Sequence, residues 1–65
     1  MITIAEVNKF NNTLSLYGLS TDNKPTDKFN FYGVDYTVRN SSTFYEMDTR
    51  AAFLFDEENR QWIEQ

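Results

Sequence analysis

The chain has 65 residues, 40% apolar and 25% charged, with one Trp, four Tyr, six Phe, two Gly, one Pro and neither Cys nor His. A single small domain of this size buries only ~60% of its unfolded surface, and without Cys or His it has no disulfide, no ordinary zinc site and no Ser-His or Cys-His nucleophile. Ten acids against six bases give a net charge of −4, and the excess lies in the last twenty residues, where Glu46, Asp48, Asp56, Glu57, Glu58 and Glu64 face only Arg50 and Arg60. That sign argues against direct binding to nucleic acid or to an anionic membrane.

Met1 to Glu6 carries neither a basic leader nor an unbroken apolar run, and no stretch approaches the ~18 apolar residues of a membrane span. A soluble, cytoplasmic protein is the expectation. Thr3 and Glu6 have capping-box spacing, and Ile2 and Val7 that of a hydrophobic staple. Ile4, Val7, Phe10, Leu14 and Tyr17 follow the 3.6-residue period, and Gly18 suits a left-handed helix end. These cues predict a helix over 4–17, although Asn8, Asn11, Asn12, Thr13 and Ser15 are poor helix formers. The competing reading is a strand over Thr13–Tyr17.

After the polar connector Ser20–Asp27, Lys28 to Arg39 reads as a hairpin turning at Tyr32-Gly33. A two-residue turn there pairs Phe31 with Val34, Phe29 with Tyr36 and Asp27 with Val38. Tyr at a position that wants positive φ points instead to a longer or bulged turn. Asn40-Ser41-Ser42 is a turn. The segment beyond it reads as strands around Phe44-Tyr45 and Ala51–Phe55, then a hairpin with Asp56–Asn59 as its loop, setting Phe53 opposite Trp62 and Phe55 opposite Arg60. Thr43, Glu46 and Arg50 carry the signals of a second helix over the same region. The expected fold is α+β: one N-terminal helix packed on an antiparallel sheet of about four strands (α-β-β-β-β), with α-β-β-α as the alternative.

Chemistry is scarce. Gly18 and Gly33 are too far apart for a phosphate loop, and Asp56-Glu57-Glu58-Asn59 lacks calcium-loop spacing. Carboxylate pairs such as Glu46 with Asp48, or Asp56 with Glu58, sit in polar, turn-rich sequence without the burial that acid-base catalysis needs. No enzyme, cofactor or metal site is expected.

Two features suggest binding. On a strand, Glu46 and Asp48 would share a face ~6.7 Å apart, about two steps of a phosphate backbone. The C-terminal strands are apolar on both faces, with Phe53, Phe55 and Trp62 on one and Ala52, Leu54 and Ile63 on the other, so one face is left for a partner or a second copy. In composition the chain is similar to acidic phage or mobile-element accessory proteins that block a host protein. That similarity implies a module or inhibitor that docks on a basic, nucleic-acid-binding site of a protein. Glu46, Asp48, Asp56, Glu57 and Glu58 would steer it, and Tyr32, Tyr45, Leu54 and Trp62 would anchor it. The alternative is a self-associating structural or regulatory subunit, a homodimer with no catalytic activity.

Overall fold

The computed structural model describes all residues from Met1 to Gln65, and where a helix over 4–17 is predicted it has a β-hairpin. Strand β1 (Thr3–Asn8) pairs antiparallel with β2 (Thr13–Gly18). Ile4 pairs with Leu16 and Glu6 with Ser15, which makes Ala5 the extra residue of a bulge. A bulge restores the inward phase one residue late, so Ile4 and Val7 both turn inward at the i, i+3 spacing of a helical face. The asparagines then close the hairpin. The Asn8 side-chain oxygen accepts the N–H groups of Phe10 (3.0 Å) and Asn11 (3.2 Å), and Asn12 is left-handed at φ 56°. Phe10, assigned to the helix face, is 94% exposed. Gly18 is needed for a different reason from a helix end: a Cβ there would lie 2.7 Å from Cζ of Phe44.

Strands β3 (Lys28–Phe31) and β4 (Val34–Thr37) form the hairpin in the expected register, Phe31 with Val34 and Phe29 with Tyr36. The Val38 N–H donates to the Asp27 carbonyl at 2.8 Å. The turn is the short one, with Tyr32 at φ 51° and Gly33 at φ 80°. Both central residues are left-handed, as a two-residue turn of matching twist requires.

Strands β5 (Thr43–Glu46), β6 (Ala51–Asp56) and β7 (Gln61–Glu64) replace the second-helix alternative. The last hairpin differs from expectation in register: Phe55 faces Trp62, Phe53 faces Glu64, and the loop is Glu57–Arg60. Asp56 causes the shift by staying in the strand and capping the loop. Its Oδ1 accepts the N–H groups of Glu58 (3.1 Å) and Asn59 (3.4 Å). Phe55 and Arg60 therefore do not face each other, and Arg60 lies beside Asp27 at 3.6 Å instead.

The chain is thus all-β, and both α+β arrangements, α-β-β-β-β and α-β-β-α, are overturned. One sheet has the order β1-β2-β5-β6-β7, with β2 and β5 parallel and the other pairs antiparallel; β3-β4 is a separate two-stranded sheet. The parallel pair needs a long crossover, and residues 19–42 supply it, carrying β3-β4 over one face of the large sheet. There Leu14, Leu16, Val38, Phe44 and Phe55 form the core, flanked by Phe29, Tyr36 and Trp62. With no helix at all, none is long and apolar enough to cross a membrane.

Candidate functional site

Alternation along the five strands decides which side chains meet the core and which are left over. Because Leu14, Leu16, Phe44, Phe53, Phe55 and Trp62 point inward, their neighbours point outward. Cross-strand pairing sets the outward residues in rows. Tyr17, Tyr45 and Ala52 form one, and Ser15, Thr43, Leu54 and Ile63 the next. The Tyr17 and Tyr45 rings lie 5.8 Å apart at 58°. Tyr17 is 41%, Leu54 38% and Ile63 46% exposed, so nothing in this chain covers the patch they make. The only charged strand residues facing the same way are Glu6 and Asp56. The result is an aromatic and aliphatic centre with an acid at either flank.

The other predicted contact residues go elsewhere. Glu46 ends β5 pointing inward and is 7% exposed. Its carboxylate receives Nζ of Lys24 at 2.5 Å and the Thr49 hydroxyl at 2.6 Å, and these bonds, Lys24 first, hold its pKa below the ordinary value. Nζ of Lys24 also lies over the rings of Phe53 (4.5 Å) and Phe44 (4.9 Å), a desolvated cation pinned between a carboxylate and two aromatic faces. Asp48 falls in the turn after β5, so the same-face spacing with Glu46 does not arise. It accepts the Ser20 hydroxyl (2.6 Å) and N–H (3.0 Å), and the hydroxyl bond leads in lowering its pKa.

Asp56 bonds Nδ2 of Asn59 at 2.8 Å, which keeps its carboxyl ionised to lower pH than usual. Glu57 is tied to Nη1 of Arg39 and the Asn40 N–H, both at 3.2 Å, while Glu58 stays exposed in the loop. Trp62 packs inward on Phe55 (5.0 Å) and Phe44 (5.8 Å), and its indole N–H donates to the Pro25 carbonyl at 2.9 Å. Tyr32 is 86% exposed at the tip of β3-β4, edge-on to Phe31 at 4.5 Å.

Of the expected residues, then, Tyr45, Leu54 and Asp56 share one outward face. Glu46, Asp48, Glu57 and Trp62 are engaged within the fold. Tyr17 belongs to the face and was missed, because the helix reading gave it to the core. The alternation of Thr13-Leu14-Ser15-Leu16-Tyr17 was the signal that places it outward. No protein-family model, curated protein or solved structure matches this chain.

Proposed function

We propose that the protein is a non-catalytic, acidic protein-binding module, an inhibitor or accessory protein of the phage or mobile-element kind, acting in the cytoplasm. Its partner would be a protein whose contact surface has an apolar centre and a Lys/Arg rim, as at a nucleic-acid-binding site. The observation that carries this reading is the uncovered patch of Tyr17, Tyr45, Leu54 and Ile63, flanked by Glu6 and Asp56 with no base among the outward strand residues. Aromatic and aliphatic area supplies affinity on desolvation, whereas flanking carboxylates steer association toward positive surfaces and repel polyanions.

The test compares the wild type with Leu54→Lys and with Glu6→Lys/Asp56→Lys as baits in nuclease-treated lysate of the cells that make the protein. A protein retained by the wild type should be lost with Leu54→Lys. Purified, it should associate more slowly with the double variant, and less so in high salt. Retention identical for all three baits would remove the outer face from the proposal. Tight binding of labelled duplex or single-stranded DNA by the wild type would overturn it altogether.

A further inference from the structure

The two edges of the large sheet are not alike. β1 carries the Ala5 bulge, which breaks the regular spacing of its outer backbone groups. β7 is straight in register, has no Pro or Lys, and pairs only with β6. Its hydrogen-bonding phase follows from one bond, the Gln65 N–H to the Ala52 carbonyl at 2.9 Å. In an antiparallel ladder inward-pointing groups recur at every second residue. The groups of Gln61 and Ile63 therefore face β6, and those of Trp62 and Glu64 face out of the sheet. No hydrogen bond outside the ladder reaches the backbone of Trp62 or Glu64.

We infer that β7 pairs antiparallel with β7 of a second copy of this chain, about a two-fold axis at Ile63. Three registers keep outward groups opposite outward groups. Centring on Trp62 recruits Arg60, which is left-handed at φ 51° and outside the strand. Centring on Glu64 sets two carboxylates face to face, which is repulsive. Centring on Ile63 uses both outward residues, each Trp62 exchanging backbone bonds with Glu64 of the second copy, and opposes no like charges. It also brings the two Ile63 side chains together on the outer face, joining the two Leu54–Ile63 rows into one apolar band. Such an edge is isologous and closes at two copies. This inference needs no foreign partner, and a monomer that still bound one through the outer face would overturn it alone.

Sedimentation of the full chain over a concentration series is the test. The wild type should move from one chain mass toward two as concentration rises. Glu64→Pro removes an outward N–H at a position where an edge strand accepts proline, and it should stay at one chain mass with an unchanged far-UV spectrum. Ile63→Lys sets two ammonium groups on the axis at an exposed site and should also stay monomeric, which covers the case in which the proline variant fails to fold. Glu64→Gln keeps the donor and should still associate. A wild type of one chain mass at every concentration would overturn the inference, as would a dimer that survives Ile63→Lys.

Discussion

Glu46 holds the crossover to the sheet. Its partner Lys24 comes from the connector between β2 and β3, so the ion pair ties residues 19–27 across the core face at Phe44 and Phe53. Four carboxyls have pKa values below their ordinary ones: Glu46 below 4.5, and Asp22, Asp48 and Asp56 below 3.8. In Asp22 the leading cause is the Leu19 N–H bond. A depressed folded-state pKa means that the unfolded chain binds protons more readily. The stabilisation is therefore complete above the ordinary value and is lost as pH falls through the folded one. The unfolding midpoint should be flat near neutrality and fall below about pH 5. Glu46→Gln offers one acceptor where two donors converge, so it should lower the midpoint at neutral pH and make the acid limb shallower. Thermal melts across pH read both effects, and an acid limb of unchanged steepness would remove Glu46 as a main contributor.

At the level of the element, three hairpins share one device. The loops Lys9–Asn12, Met47–Arg50 and Glu57–Arg60 are each four residues long and end in a left-handed non-glycine residue: Asn12 (φ 56°), Arg50 (φ 62°) and Arg60 (φ 51°). Left-handed φ is costly for a side chain with a Cβ. Arg50→Gly keeps the backbone bond from residue 50 to the Glu46 carbonyl, 2.8 Å long, and relieves that cost. It should stabilise the fold by about 0.5–1 kcal/mol, raising the melting midpoint by several degrees; a lowered midpoint would contradict the assignment. The same device explains where sequence reading succeeded and failed. The predicted helix over 4–17 rests on the Thr3–Glu6 spacing and the apolar period, which the Ala5 bulge imitates in β1, whereas Asn8, a poor helix former, closes the four-residue loop. The β3-β4 register was readable because Phe29, Phe31, Val34 and Tyr36 alternate without interruption around a two-residue turn. The parallel β2-β5 pairing was not, because its partners lie far apart in the chain and no local pattern encodes them.

For the molecule as a whole, the decisive asymmetry is between the two faces of one sheet. The sheet that buries Leu14, Leu16, Phe44 and Phe55 on one face leaves Tyr17, Leu54 and Ile63 at the surface on the other. Total stability for a chain of this length is about 3–10 kcal/mol, so the fold has little margin, and the cost of a substitution tells which face a residue serves. Phe55 is 4% exposed, and Phe55→Ala should cost about 3–5 kcal/mol, a large share of that total. Leu54 is its immediate neighbour, yet Leu54→Thr trades one strand-compatible surface residue for another and should cost less than about 1 kcal/mol. Ile63→Thr, opposite it, should behave alike. Urea titrations measure all three. If Leu54→Thr and Ile63→Thr destabilised the isolated chain as much as Phe55→Ala, the outer patch would be a structural requirement of the monomer, and its apolar character would need no partner to account for it. If they leave stability unchanged, folding does not need that apolar surface, and the selective reason for it lies in what the sheet touches.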